Sequence, residues 1–334
     1  MGFQKKNNRL IKKVENNITI IIPSRKFDEN LKNCIKKIKK YYKKIQIIII
    51  LDTPTKLKLD KNTKTIISGN KTIGFKRNLA AKYVKTKLIS LIDSDAYPTS
   101  YWLNESLNIL NSKKIAAAGG PNLSPKSNDI EKKLVARSRK KSIVTLNPIV
   151  KSINSPKQYV NFLPSCNYII KTKIYKKING MDPRLYSGEE ISLNLKVRKL
   201  KLKTLFDPKI YVFHLDRNFK HFFRQRFIYG STGLWNAIHY PCKESYLLLA
   251  GSFPLFYCLF FPLILIYQKL QFIYISGLMA LLILVILNSL VINFNNNFFK
   301  SFTLSLISFF GPGLGLISKL FLNNKIFKKL YTQK

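Results

Sequence analysis

The sequence predicts an α/β fold with a mostly parallel sheet, followed by a membrane-embedded C-terminal segment. Three observations carry the prediction. Apolar strands alternate with segments of helical period up to about Tyr240. One of those strands, Leu88–Ile92, ends on the doublet Asp93-Ser94-Asp95. Beyond Ser245 the chain turns into long uncharged runs. Strand–helix alternation favours parallel strands covered by helices on both faces.

The elements follow in order. Asn17–Ile22 is an apolar strand running into Pro23-Ser24-Arg25. Asp28–Tyr42 carries Leu31, Cys34, Ile35, Ile38 and Tyr42 at helical spacing. Ile45–Leu51 is an apolar strand but for Gln46, ending at Asp52, and Lys64–Ser68 is a short one. Gly74–Lys85 reads as a helix, and Lys87–Ile92 as the strand before the doublet. Later come a strand at Lys114–Ala118, a helix at Glu190–Leu200 and a strand at Ile210–Phe213.

Composition narrows the partners. Among 334 residues, 58 Lys and Arg face 16 Asp and Glu, a formal charge of +42. The excess is mostly Lys, spread along the chain and unaccompanied by a nucleic-acid recognition motif, so no nucleic-acid partner is expected. The four cysteines have neither metal-site nor disulfide spacing and suit a reducing cytoplasm. Residues 1–16, with Lys5, Lys6, Arg9, Lys12 and Lys13, lack the apolar core of a signal peptide and read as a basic, solvated arm. The basic stretch Lys132–Lys141 reads as a solvated helix face, with a phospholipid-facing patch as the alternative.

Ser245–Gln268 and Leu270–Phe299 are uncharged and each long enough to span a bilayer, which takes roughly 20 apolar residues. Ser301–Ser318 is a third such run, interrupted by Gly311-Pro312-Gly313. The first two are expected to span, and the total is two or three. Three crossings would leave Lys325, Lys328, Lys329 and Lys334 outside, against the positive-inside tendency. Residues 222–243 mix Arg with Phe, Tyr and Trp235, as an amphipathic helix at the bilayer surface does. The expected division is therefore an arm at 1–16, a catalytic domain at 17–221, an interfacial segment at 222–243, a membrane segment at 244–322 and a basic tail at 323–334.

Asp93 and Asp95, two residues apart at a strand end, project together from the carboxyl edge of the sheet, where α/β folds bind ligands. Two carboxylates there suit Mg²⁺ or Mn²⁺, and such an ion suits a diphosphate. Gly74 opens a helix whose first N–H groups could face phosphate, with Arg77 one turn in.

The motifs in sequence resemble those of the inverting family 2 glycosyltransferases of GT-A fold, from about Ile18 to Gly233. Thr19–Arg25 resembles the opening strand, and Asp52 the acidic residue near the base. Gly74-Phe75-Lys76-Arg77-Asn78 is similar to the Gly-x-x-x-Arg-Asn segment, and Asp93-Ser94-Asp95 to the Asp-x-Asp. Ser165-Cys166-Asn167 resembles the loop before the acceptor site. Asn179-Gly180-Met181-Asp182 with Gly188-Glu189-Glu190 resembles the Gly-Gly-x-Asp and Gly-Glu-Asp pair. His214 and Arg224-Gln225-Arg226 resemble the late His and Arg-Gln-rich helix of membrane-anchored, succinoglycan-type members.

The resemblance implies a metal-dependent, hexosyltransferase-type enzyme with Asp93, Asp95 and His214 at a Mg²⁺ or Mn²⁺ ion. Pro23, Ser24, Arg25, Asp52, Gly74, Arg77, Asn78, Asp93, Arg224, Gln225 and Arg226 would line the nucleotide-sugar site. Glu190 would be the base, with Glu189 raising its pKa by like-charge repulsion. Glu replaces the family's Asp there. Gln225 is followed by Ile228 and Tyr229 rather than by the Arg-Trp of processive synthases, so single-sugar transfer is expected. The implied setting is the cytoplasmic membrane, multi-pass, with the catalytic domain cytoplasmic. There it would act on a lipid-linked or saccharide acceptor in surface polysaccharide synthesis, with membrane lipid as a further partner. The alternatives are transfer to polyprenyl phosphate and a catalytically silent membrane scaffold.

Overall fold

The computed structural model describes residues 2–55, 59–100, 102–142, 152–260, 268–293 and 296–321. They form two compact units, Met1–Pro125 with Pro148–Leu215, and Lys126–Asn147 with Asp216–Lys334.

The first unit is α/β. Its elements are α1 (Gly2–Asn17), β1 (Ile18–Pro23), α2 (Glu29–Tyr41), β2 (Gln46–Leu51), β3 (Thr63–Ile67), α3 (Ile73–Ala81), β4 (Leu88–Ile92), β5 (Ala96–Pro98), α4 (Asn104–Leu110), β6 (Ile115–Gly119) and β7 (Asn122–Leu123). After α5 of the second unit (Ile130–Lys141) come β8 (Gln158–Val160), β9 (Asn167–Lys171), α6 (Thr172–Lys177), α7 (Glu189–Lys199), β10 (Lys203–Phe206) and β11 (Val212–His214). Among the described residues the main sheet runs β3-β2-β1-β4-β9-β6-β10-β8, and β5-β11-β7 make a smaller one. Pairing is parallel from β3 through β4 and between β6 and β10, while β9 runs antiparallel to both its neighbours.

The apolar runs explain the centre. Every residue of β1 and of β4 is buried, because helices cover both faces and alternation is not needed. Helix α2 begins at Asp28, whose carboxylate accepts from the Leu31 N–H at 3.0 Å, and it turns Leu31, Cys34 and Ile38 inward. The expected solvated arm is instead helical. Val14 in α1 is wholly buried in the core and Ile11 packs beside it, so the apolar face of this segment outweighs its lysines.

The second unit comprises α5, α8 (Phe219–His239), α9 (Lys243–Ala250), α10 (Phe253–Leu259), α11 (Gln268–Ile292) and α12 (Phe298–Phe321). Two helices, Leu270–Ile292 and Phe298–Phe321, are long and apolar enough to cross a membrane. They correspond to the second and third uncharged runs; of the first, only residues up to 260 and residue 268 are described. The first run is broken after α9: Pro254 sits in the first turn of α10, where its missing N–H is harmless but continuation from α9 is blocked. Residues 261–267 of that run, and the tail from 322, lie outside the described residues.

The third run is one helix straight through Pro312. It lies against α8 at a seam of small residues. A Cβ on Gly230 would stand 1.7 Å from the Pro312 carbonyl oxygen, and one on Gly315 would stand 1.8 Å from that of Phe227. Such seams join membrane helices by close backbone approach. Between α11 and α12, Asn288 Nδ2 donates to Ser305 Oγ at 2.8 Å, and Ser289 Oγ lies 3.0 Å from the same oxygen. Leu134 and Val135 of α5 join Phe222, Ile292 and Leu304 in one apolar cluster. The basic stretch thus buries one apolar face, while Lys140 and Lys141 stay exposed. Outward on α8, Phe223, Leu234, Trp235 and Ile238 are exposed, as the interfacial reading of 222–243 expects.

Candidate active site

Two strand pairings assemble the centre of the first unit. In the β4–β9 ladder Ile92 is paired with Asn167, so the chain positions just beyond, Asp93 and Cys166, come out at the same edge. In the smaller sheet Ala96 is paired with His214, and Leu215 N–H donates to the Asp95 carbonyl at 3.0 Å. His214 is consequently brought to the doublet. Its Nε2 lies 3.4 Å from Asp95 Oδ1 and 3.8 Å from Asp93 Oδ2. Its Nδ1 lies 3.1 Å from the Leu215 carbonyl oxygen, which can only accept, so the proton belongs on Nδ1. Nε2 then faces two carboxylates, an arrangement that a cation between them would satisfy. An imidazole held by a backbone carbonyl on its far nitrogen is the usual posture of a metal ligand. Asp93, Cys166 and His214 offer donor atoms within 4.8 Å of one another. A divalent ion fits this donor set.

Arg77 lies beneath the doublet on α3, with no exposed surface. Its Nη2 donates to Asp93 Oδ1 at 2.6 Å and to the Ser165 carbonyl at 3.3 Å, while Nη1 reaches Glu189 Oε1 at 3.4 Å. The expectation that Arg77 meets a diphosphate therefore gives way to an internal role. A guanidinium enclosed by protein carboxylates orients them instead of reaching outward.

Helix α7 starts at Gly188, whose φ of 79° is left-handed and suits glycine. That turn puts Glu189 and Glu190 in the first helical turn, where the helix dipole favours acidic side chains. Glu189 is buried and Glu190 half-buried. Burial pushes both carboxyls above the ordinary value of 4.5, and the charge of Glu190 pushes Glu189 higher still. For Glu190 the main cause is burial; the hydrogen bond to Glu189 pulls the other way. The anticipated like-charge effect thus falls on Glu189.

The carboxyl ends of β1 and β2 carry the other expected residues. Lys76 of α3 is buried, donates to the Ser24 carbonyl at 2.7 Å and forms an ion pair with Asp52. Ser24 N–H donates to the Ile50 carbonyl at 2.8 Å, and Asp52 N–H to that of Arg25 at 2.9 Å. Pro23, Ser24, Arg25 and Asp52 are gathered at one edge by these bonds. Sequence reasoning passed over Lys76, because nothing but its place beside Arg77 marks it.

Gly74 and Asn78 are placed differently from expectation. The first turn of α3 is capped by Thr72, which accepts from the Phe75 N–H at 3.2 Å, and a Cβ on Gly74 would meet the Asp182 carbonyl at 2.9 Å. This helix start packs on protein rather than opening toward phosphate. Asn78 donates to the Met181 carbonyl at 2.8 Å and accepts from the Met181 N–H at 3.0 Å and the Tyr175 hydroxyl at 2.8 Å. Its amide is a staple for the turn at Asn179-Gly180.

Arg224, Gln225 and Arg226 belong to α8 of the second unit. Gln225 Nε2 donates to the Tyr229 hydroxyl at 3.0 Å. The Arg226 guanidinium lies 4.7 Å from the Phe222 ring centroid and 5.7 Å from that of Tyr229. Its Nε is buried with no hydrogen-bond partner among the described residues.

With this geometry in view, comparison with known proteins is informative. Residues 19–178 match the glycosyl transferase family 2 model. A pre-mycofactocin glycosyltransferase of Mycobacterium tuberculosis, found in two strains, is 19% identical over 185 residues, 53% of this chain and 37% of the relative. The chain thus matches little more than a third of that relative's length. A mannosyltransferase from Pyrobaculum calidifontis, solved with GDP-Man and Mn²⁺, superposes with a TM-score of 0.56 over 96% of this chain and 94% of its own, at 11% identity. That likeness concerns the fold, which is GT-A. Strand order, an acidic doublet at the sheet edge and the family match agree: over residues 19–178 this chain is similar to the family 2 glycosyltransferases and has their GT-A fold.

Proposed function

We propose that this protein is a membrane-anchored, metal-dependent, inverting glycosyltransferase that moves one sugar from a nucleotide-sugar to a lipid-linked saccharide. The observation that carries the reading is the meeting of Asp93, Asp95 and His214 at the strand edge, tied through buried Arg77 to the Glu189–Glu190 pair. The solved mannosyltransferase, with GDP-Man and Mn²⁺, supports a nucleotide-sugar donor and a divalent ion here.

Asp93, Asp95 and His214 would hold Mg²⁺ or Mn²⁺. When bound, such an ion neutralises negative charge building on the departing nucleoside diphosphate. Asp52, fixed by Lys76, and the Pro23-Ser24-Arg25 segment receive the nucleoside. Arg77 holds Asp93 in one orientation and keeps Glu189 beside Glu190. Glu190 accepts the proton of the acceptor hydroxyl as that oxygen attacks the anomeric carbon, which inverts the configuration.

Helices α11 and α12 form a two-helix anchor in this reading. Two crossings return the chain to its starting side, leaving the tail lysines on the cytosolic face. The basic side of α5 then meets anionic headgroups, and the active site is confined to the surface where a lipid-linked acceptor resides. The alternative acceptor is polyprenyl phosphate. A phosphate oxygen is already anionic and needs no base.

The test is donor hydrolysis and transfer by detergent-solubilised protein against a panel of nucleotide-sugars, with Mn²⁺ or EDTA, beside Asp95→Ala. EDTA-sensitive turnover of one donor, lost in the variant, is expected. Folded protein that binds no nucleotide in the presence of metal would instead be the silent scaffold.

A further inference from the structure

The four cysteines have no metal-ligand spacing in sequence, yet strand order carries one of them to the doublet. Cys166 is the residue before β9, and the Ile92–Asn167 pairing sets it at the level of Asp93. Its sulfur, an Asp93 oxygen and a His214 nitrogen all lie within 4.8 Å of one another. The three come from three different chain segments, the β4 end and the β9 start, set by their shared ladder, and the β11 end, set by its pairing with β5. Cys166 is half-buried and reduced. Arg77 holds the Ser165 carbonyl next to it, so the loop is anchored on the side of Asp93.

We propose that Cys166 is a protein ligand of the divalent ion, completing a mixed carboxylate, imidazole and thiolate site with Asp93 and His214. The inference rests on the metal-dependent reading of this site. Oxygen ligands alone suit Mg²⁺ and Mn²⁺, whereas a thiolate biases a site toward Co²⁺ and Zn²⁺. Binding releases the thiol proton to solvent, so one proton leaves for each ion that takes the sulfur. No bond is broken beyond S–H, and no electron moves.

The experiment is titration of the full-length, detergent-solubilised protein with Co²⁺, followed by absorption spectroscopy. Wild type is expected to develop the intense near-ultraviolet band of thiolate-to-cobalt charge transfer. Cys166→Ser should abolish the band while still binding Co²⁺, about tenfold more weakly or worse, and should raise the affinity for Mg²⁺ relative to Co²⁺. A second reading needs no variant: Mn²⁺ should slow alkylation of Cys166, followed by peptide mass spectrometry, and leave Cys242 unaffected. Co²⁺ bound in wild type without the band, yet lost in His214→Ala, would overturn the thiolate ligand and leave the metal site standing. Absence of any Co²⁺ binding in folded protein would overturn both.

Discussion

Arg77 donates to Asp93 across 2.6 Å from a guanidinium that solvent does not reach, and its other arm lies 3.4 Å from Glu189. One side chain on a short helix thereby couples the acidic edge of the sheet to the start of α7. Removing it leaves Glu189 in the interior, and Asp93 at the sheet edge, without their cation. Arg77→Ala is expected to lower stability by about 3–5 kcal/mol, the usual cost of breaking a buried pair from one side. Arg77→Lys keeps the charge but loses the two-armed geometry, and should recover stability without recovering full turnover. Thermal denaturation beside steady-state kinetics checks both, and an unchanged Tm in Arg77→Ala would remove the fork from the account.

Glu190→Gln separates the two acceptor classes. With a hydroxyl acceptor, kcat should fall about 10²–10⁴-fold at an unchanged donor KM. With polyprenyl phosphate the loss should be slight. Full activity of the variant on a hydroxyl would end the base assignment.

The pH dependence has a definite sign. Glu190 must be ionised to accept a proton, and burial holds its pKa above the ordinary 4.5. Activity should therefore disappear as pH falls through a limb lying above 4.5, and Glu190→Gln should lack that limb. Stability moves the other way. A carboxyl whose folded pKa is raised binds its proton more tightly when folded, so ionisation above 4.5 weakens the folded state until the raised value is passed. The Tm of Glu189→Gln minus that of wild type should grow as pH rises over this window.

Asn78 satisfies both the N–H and the carbonyl of Met181. Asn78→Ala leaves these groups without partners and should cost about 1–3 kcal/mol for each one left buried. Nucleotide affinity, measured by titration calorimetry on the folded fraction, should change little. A selective loss of nucleotide binding at unchanged Tm would return Asn78 to the donor site.

Gly230→Leu should force α8 away from α12, since even a single added carbon would collide with the Pro312 carbonyl. Overpacking of this kind costs about 1–3 kcal/mol at least. Limited proteolysis should show faster cutting of the second unit, while metal binding at the first unit persists.

The strands β1, β2, β3, β4, β6 and β11 were legible from their apolar content, each boundary moving by a residue or two, whereas the short strands β5, β7, β8 and β10 and the antiparallel β9 were not read. Asp93, Asp95, His214 and Glu190 were marked in the sequence by their places at strand and helix ends, and Asp93, Asp95 and His214 do meet. What the sequence hid was set by pairing. Cys166 gained its neighbours from the β4–β9 register, and Lys76 from the turn of α3 toward Ser24 and Asp52. Arg77 was expected at the ligand because charge usually faces water, and only the enclosing carboxyls make its burial tolerable. Helix breaks in the uncharged runs were hidden for a related reason. Hydropathy registers length and charge, whereas Pro254 breaks a helix at a start and Pro312 is carried inside one.

The glycine seam between α8 and α12 has a bearing on time as well as on space. Roughly eighty residues separate Gly230 from Pro312. At about 5–20 residues per second, α8 leaves the ribosome some 4–16 s before the helix it will grip. For that interval its groove of small residues faces lipid, water or a chaperone. The packing of α8 thus waits on the synthesis of α12, and a stalled ribosome would hold a first unit whose strands are complete beside a second unit that still lacks its partner helix.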